Sequence, residues 1–306
     1  MASQRDVKNR ISSVKNIQKI TRAMEMVAAA RLRRAEQRIA ALRPYADALR
    51  RMTRQAAQAA GAEASRLPLL SEHESTDTVG LLLVTGDRGL AGGFNSQIIR
   101  AGVRIGDEYA EDSKRIAWFA TGRRGVSSLT FRGRELGGSY TGFADKPAYS
   151  DARSIADDLI TGYIDGELDR VEIVYNAYIS PLTQQVTRET LLPLSHATIA
   201  TESDDDRDER SGDSEHADGP RALVDYEPDP EEILKRLVPD YVEISIYRAL
   251  VESTAGFFGA QMTAMRSASD NAGEIITDLT LQMNRARQAE ITQEIMEVVA
   301  GAEGLT

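Results

Sequence analysis

Between residue 3 and Gly61 the chain carries a single proline, Pro44, and no glycine, and no other feature restricts its fold as strongly. Apolar residues at Val7, Ile11, Val14, Ile17, Ile20, Met24 and Val27 recur in steps of three and four, and the series resumes at Ala35, Ile39, Leu42, Ala46 and Leu49. That spacing predicts a helix with a narrow apolar stripe. At 1.5 Å per residue it would run for roughly 80 Å. No compact domain buries such a length, so the helix is expected to pair with another long one. Pro44 removes one backbone hydrogen bond and places a bend, not necessarily an end.

A partner is present at the other end of the sequence. Pro230, closing the turn-rich EPDP (227–230), reads as a first-turn proline ahead of EEILKRL, with acids at the positive end of the helix dipole. Pro239 is expected to interrupt this helix early, and from Asp240 to Val299 no further proline occurs. Apolar residues recur at Val242, Ile246 and Leu250, then at Ile275, Leu279, Met283, Ala286 and Ala289. Unbroken, this stretch spans roughly 90 Å, although Gly256, Gly259 and Gly273 each weaken it by roughly 1 kcal/mol relative to alanine. Two such helices predict an antiparallel pair.

The intervening pattern alternates. TVGLLLVT (78–85), RIAWFAT (115–121), RVEIVYNAYIS (170–180) and QQVTRETLLPL (184–194) read as strands; GFNSQIIRAGVRIGDEYA (93–110) and PAYSDARSIADDLITGYIDG (147–166) read as helices. A small α/β unit with parallel strands and a terminal hairpin is expected. The domain bounds follow as 1–60 for the first helix, 76–200 for the α/β unit, 201–226 for an acidic loop and 227–306 for the last helix.

Charge is distributed unevenly. Residues 1–54 hold fourteen Lys and Arg against four acids, a net of +10, so with −10 over the whole chain the remaining 252 residues carry −20. The run TESDDDRDERSGDSEHADG (201–219) alone holds nine of those acids and is too polar to form a core. The absence of cysteine excludes disulfides and thiolate metal sites, and three scattered histidines argue against a histidine cluster. The N-terminal MASQRDVKNR lacks the apolar core of a signal peptide, and no apolar run reaches the length of a membrane span. A soluble, cytosolic chain is expected, docking at a membrane only through a larger complex.

Few motifs suggest chemistry. TGDRGLAGGFN (85–95) is a glycine-rich turn between a strand and a helix, where phosphate cradles sit. Its Gly86, Gly89, Gly92 and Gly93 fit neither the dinucleotide nor the P-loop spacing, so tight turning and close approach of another helix are the preferred reading. The basic first helix suggests nucleic acid, yet residues 1–44 hold no aromatic side chain for stacking. Glu290, Glu294 and Glu297 lie at helical spacing, but with no histidine or nucleophile nearby they read as an exposed helix face rather than an acid/base pair. Trp118 and Phe119 read as core. Residue chemistry therefore favours a mechanical part over an enzyme, with a basic coiled-coil scaffold for nucleic acid as the alternative and a nucleotide-binding enzyme third.

Four stretches, RISSVKNIQKITRAMEMVAAARLRRA (10–35), TGDRGLAGGFN (85–95), YEPDPEEIL (226–234) and DNAGEIITDLTLQMNRARQAEITQEIMEVVAGAEGL (270–305), resemble the γ-subunit family of F-type ATP synthases in order and spacing. The resemblance implies an α/β fold class: a long antiparallel two-helix coiled coil of the N- and C-terminal helices plus a small Rossmann-like α/β domain. It implies a central-stalk rotor that couples proton-driven rotation of the c-subunit ring to conformational cycling of three catalytic β subunits. Partners would be the α and β subunits, three of each, the ε subunit and the c ring, with no nucleic acid, cofactor or metal. The site would lie at the cytoplasmic face of a bacterial plasma membrane. Lys19, Arg22, Met24 and Arg31 would face an acidic lever segment of β, Arg287 and Gln288 would catch a β loop, and Thr292, Glu294, Glu297, Val298 and Val299 would form the bearing tip. Gly86, Asp87, Arg88, Gly89, Gly92 and Gly93 would build a structural turn, and the acidic loop would face the c ring and ε. Two departures stand out: FFGAQMTAM (257–265) replaces a more charged helix, and Ala91 replaces a cysteine common in relatives. Regulatory redox cysteines are absent.

Overall fold

The computed structural model describes residues 4–61, 66–194 and 229–303; the acidic run at 201–219 lies outside them. The elements are α1 (Gln4–Ala60), β1 (Thr78–Val84), α2 (Phe94–Glu111), β2 (Arg115–Thr121), α3 (Arg123–Phe131), β3 (Leu136–Tyr140), α4 (Tyr149–Ile164), β4 (Arg170–Tyr178), β5 (Gln184–Leu192) and α5 (Pro230–Glu303). They form two compact units, one of Met1–Ala30 with Gln261–Thr306 and one of Arg31–Ala260. Pro239 does not interrupt α5, and α1 also continues through Pro44. A proline removes one backbone bond, and the buried Leu234, Val238, Tyr241 and Val242 hold α5 together around the gap.

The first unit is an antiparallel helix pair. Along α1 the covered positions are Val7, Ile11, Val14, Gln18, Thr21, Glu25 and Ala28; along α5 they are Met265, Ser269, Ala272, Ile276, Leu279, Met283 and Ala286. Both series step by four and three in alternation, the seam of a two-stranded coiled coil. Val7 and Ile11 pack with Leu279, and Val14, Ile276 and Met283 close around them. Farther along, Gln18 Nε2 donates to the Ser269 carbonyl at 3.3 Å and Arg266 Nε meets Glu25 at 2.9 Å.

This seam differs from the stripe expected from sequence. Ile17, Ile20 and Val27 are 53 %, 58 % and 53 % exposed, and Ile275 is also largely exposed. The reason is geometric. Three consecutive three-residue steps, from Ile11 to Ile20, fall behind the 3.6-residue turn and rotate off the contact face, whereas the alternating series through Gln18 and Thr21 stays on it.

The second unit is a five-stranded sheet of order β3-β2-β1-β4-β5, parallel except for β5, which runs antiparallel to β4. Helices α2 and α3 contact one face. There Gly102 and Gly106 bring α2 against Leu83 and Trp118 so closely that an added Cβ would stand 2.0 and 2.5 Å away. The other face buries Leu82, Val84, Phe119, Ile173 and Tyr175 against α4, the 49–57 stretch of α1 and the 234–250 stretch of α5. From Tyr241 to Gly259 every residue of α5 is buried except the half-buried Tyr247, Arg248 and Glu252, as expected of a helix enclosed on all sides. Helix α3 and strand β3 are additions to the sequence reading. Strand β3 is LGGSY, an edge strand without the β-branched residues that announce one.

Because side chains alternate along a strand, Glu172 falls on the α2 face, 1 % exposed. Arg188 Nε donates to it at 2.7 Å, Arg170 Nε at 2.9 Å and the Tyr109 hydroxyl at 2.7 Å. Burial alone would raise its carboxyl pKa, but the hydrogen bonds from Arg188 and Tyr109 and the two arginine charges outweigh it and hold the group below the usual range. A depressed carboxylate contributes stability that is complete above its unfolded pKa and is lost as pH falls through the folded one. Glu172→Gln should therefore destabilise the chain at pH 7 and flatten the fall in Tm on acidification below about pH 4.5. Melting curves from pH 7 to 3 check this, and parallel curves for the two proteins would refute it.

Candidate functional site

The 85–95 turn joins β1 to α2 and works by satisfying backbone groups. Asp87 accepts backbone N–H bonds from Arg123 at 3.0 Å, Gly142 at 3.0 Å and Ala144 at 3.2 Å, so one carboxylate ties β1 to the start of α3 and to the loop after β3. Asn95 Oδ1 accepts the Gly86 N–H at 2.8 Å while its Nδ2 donates to the Arg88 carbonyl at 3.0 Å. Thr85 Oγ1 donates to the Thr121 carbonyl at 2.7 Å and accepts the Gly125 N–H at 2.8 Å. Gly122, at φ +80°, passes so near that a Cβ would stand 2.1 Å from the Thr85 carbonyl oxygen. Gly92 takes a positive φ, Gly93 precedes α2, and Gly89 lies under the Arg124 guanidinium.

Gly86 faces α5. A Cβ there would lie 3.0 Å from the Phe257 ring, which also packs edge-on against Phe94 at 5.6 Å. Phe257, set apart in the sequence with Phe258 as a departure, thus closes on the carboxyl end of the sheet, where open α/β sheets bind nucleotides, while Phe258 packs edge-on against it near the Arg31 guanidinium. The remaining cavity, lined by Thr85, Gly86, Phe94, Thr121, Thr254 and Phe257 among others, has a volume of about 10 Å³, room for about one water.

In the helix-pair unit, Lys19 and Arg22 are exposed and form no ion pair among the described residues; Met24 is half-buried beside the seam. Every residue from Arg287 to Ala300 is exposed. Within that stretch Thr292 Oγ1 donates to the Gln288 carbonyl at 2.9 Å, and Gln293 donates to Glu297 at 3.0 Å. Glu294 has no partner among the described residues. Apolar side chains stand in the open: Ile291 at 43 %, Ile295 at 57 %, Val298 at 72 % and Val299 at 49 % exposure. Among the described residues, none outside this segment covers it.

Arg31 belongs to the α/β unit. Its guanidinium lies 5.5 Å from the centre of the Phe258 ring and 3.2 Å from Asp145, a carboxylate that Arg88 of the turn also approaches at 3.6 Å. Asp145, Asn95 and Glu172 did not register in the sequence reading, since lone polar residues in loops and strands carry no periodic signal. Arg34 and Arg38 did carry one: with Arg31 they repeat at three and four residues along α1.

A family model described as ATP synthase matches residues 3–305. The ATP synthase gamma chain of Rubrobacter xylanophilus is 42 % identical over 305 residues, covering 100 % of this chain and 99 % of its own; that of Streptomyces griseus is 42 % identical over 308, covering 99 % and 96 %. Among solved structures, a chain of the Euglena gracilis mitochondrial ATP synthase (OSCP/F1/c-ring, rotational state 3) aligns with a TM-score of 0.66 at 15 % identity over 99 % of this chain and 94 % of that one. A chain from the Tetrahymena thermophila mitochondrial ATP synthase central stalk and c ring aligns with a TM-score of 0.57 at 23 % identity over 82 % and 99 %.

If Asp87 is the anchor of the turn, Asp87→Ala strands three backbone donors and should lower the unfolding free energy by about 3 kcal/mol. Asp87→Asn, which keeps one acceptor oxygen, should lose markedly less. Urea titration of both variants decides it; equal losses would mean that the carboxylate's hydrogen bonds are not what holds the turn.

Proposed function

This chain belongs to the ATP synthase gamma-chain family, and from that premise we propose that it is the central-stalk rotor subunit, coupling rotation of a proton-driven c ring to the catalytic cycle of the β subunits. The observation that carries the reading is the unpartnered apolar surface of the helix-pair unit. One seam is used internally, while Ile17, Ile20 and Val27 on α1 and Ile291, Ile295, Val298 and Val299 on α5 remain open to water. Exposed apolar stripes of this extent belong to surfaces that meet another protein. In this reading the sleeve is the ring of three α and three β subunits.

The mechanism requires no chemistry from this chain. Each angular position of the helix pair presents a different set of contacts to each β subunit, and a set that favours one β conformation over another shifts its equilibrium and hence its nucleotide affinity. Arg287 and Gln288, the polar pair at the start of the fully exposed stretch, would engage a β loop. Thr292, Glu294, Glu297, Val298 and Val299 would turn against the sleeve. Lys19, Arg22, Met24 and Arg31 would meet an acidic β segment, through charge at the two exposed cations and through the thioether at Met24. The α/β unit would sit with ε on the c ring, and the acidic run at 201–219 would face basic loops there. The complex is membrane-associated, and its placement on the cytoplasmic face of a bacterial plasma membrane follows from the same reading.

The decisive experiment purifies cognate α and β subunits with and without this chain, and measures mass by size exclusion together with ATP hydrolysis. A single large complex with sustained hydrolysis is expected, and deletion of residues 287–306 should abolish most of it. Ile20→Gln removes one side chain worth about 1.5–3 kcal/mol of burial at the interface, so assembly should weaken by roughly ten- to a hundredfold. Subunits that hydrolyse ATP equally well and elute separately from this chain would end the rotor reading and return the basic scaffold as its alternative, tested by salt-dependent DNA binding.

A further inference from the structure

Within the α/β unit, a cleft of about 250 Å³ opens between α1, the loop before α4, and α5. Arg31, Arg34 and Arg38 line one wall, Lys146 and Asp145 the facing one, and Phe258 with Ala35 the apolar floor. Four cations and one carboxylate line this cleft. That carboxylate is already neutralised, since Asp145 receives Arg31 at 3.2 Å and Arg88 at 3.6 Å. Arg34, Arg38 and Lys146 have no ion-pair partner among the described residues, and their charges add within a concave surface, which concentrates the field. The remaining polar group, Thr254 Oγ1, is bonded to the Ala144 and Leu250 carbonyls at 2.9 and 2.8 Å, which leaves recognition to the cations.

We propose that this cleft binds a small, multiply charged oxyanion of the phosphate class. Size and chemistry both select it. The volume falls below the roughly 300 Å³ at which pockets for cofactor-sized ligands begin, so one or two phosphate groups fit where a whole nucleotide does not. Guanidinium forks pair bidentately with tetrahedral oxyanions, and Arg34 and Arg38, four residues apart on one helix, present two forks to the same space. Anion occupancy would relieve the mutual repulsion of the three unpaired cations and clamp α1 to the loop before α4. The inference rests on the α/β unit alone and is independent of the rotor reading.

The test titrates sodium pyrophosphate into the purified full-length chain at low ionic strength, followed by calorimetry and by thermal melting. Saturable one-site binding with a rise in Tm that follows the occupancy, weakened by added salt, is expected. Arg38→Gln and Lys146→Gln should each weaken it about tenfold or more, the loss of one charge-assisted hydrogen bond, without lowering the unliganded Tm. ATP that binds no tighter than pyrophosphate supports a site for the phosphate end alone. The proposal is overturned by non-saturating binding, by ATP binding much tighter than pyrophosphate, by undiminished binding in both variants, or by a glutamate-rich peptide that saturates the chain where pyrophosphate does not. Assembly with α and β subunits, measured separately on Arg38→Gln, keeps failure here distinct from failure of the rotor reading.

Discussion

Helices of 57 and 74 residues must find cover along their whole length or leave apolar surface in water, and α5 meets this demand in three different ways. Between Tyr241 and Gly259 it is enclosed by the sheet and its neighbouring helices. Between Met265 and Ala286 it is covered along one seam. From Arg287 to Ala300 it is covered nowhere. The sequence changes in step: mostly apolar and small residues in the enclosed part, broken only by Glu243, Arg248 and Glu252 among charged groups, a heptad in the paired part, and a few valines and isoleucines among charges in the bare part. Gly256 and Gly259 fall where enclosure is tightest. A Cβ at Gly259 would lie 2.8 Å from the Pro181 carbonyl oxygen, so the intrinsic helix penalty of about 1 kcal/mol is set against a contact that no other residue allows.

The α/β unit shows how a fold suited to nucleotides takes a mechanical part. Parallel strands leave polar backbone groups at their carboxyl ends, and a ligand phosphate is one way of satisfying them. Here side chains do it instead. Asp87 collects three N–H groups, Asn95 bridges the two ends of the turn, and Thr85 links β1 to β2 and α3. Phe257 closes what space is left. The glycines that mimic a phosphate cradle in sequence are demanded by packing, with Gly86 against the Phe257 ring and Gly122 against the Thr85 carbonyl.

Sequence reasoning reached the parts of this architecture that repeat. Both long helices, four of the five strands and the parallel order with its terminal hairpin follow from periodicity, because burial imposes a period on every element it covers. Strand β3 escaped because LGGSY lies at the sheet edge and its side chains alternate between exposed and half-buried, which leaves little hydrophobic pattern to read. Proline was overweighted at Pro239, which removes a hydrogen bond while the surrounding burial exceeds that loss; at Pro44 the helix continues, as a bend rather than an end allows. The turn's chemistry was half legible: glycines announced a tight turn, while the acceptor role of Asp87 depends on donors 36 to 57 residues away, a relation that only tertiary structure creates.

The middle of the helix-pair seam is the least intuitive result, since there polar residues stand inside and apolar ones outside, between the apolar Val7, Ile11 and Val14 on one side and Ala28 on the other. Gln18, Thr21 and Glu25 occupy inner positions while Ile17, Ile20 and Val27 face outward. For two helices alone in water the opposite assignment would bury more apolar area, at roughly 25 cal/mol per Å². Polar seam residues contribute register: Gln18 to Ser269 and Glu25 to Arg266 permit one alignment and disfavour slippage by a turn, which would leave them unpaired. A pair held in register along its inner seam that still leaves Ile17, Ile20 and Val27 in water gains free energy wherever that stripe is covered. Rigid register with an outward-facing stripe is also what transmission of angular position demands, because a helix pair that slipped internally would absorb rotation instead of presenting successive faces to its surroundings.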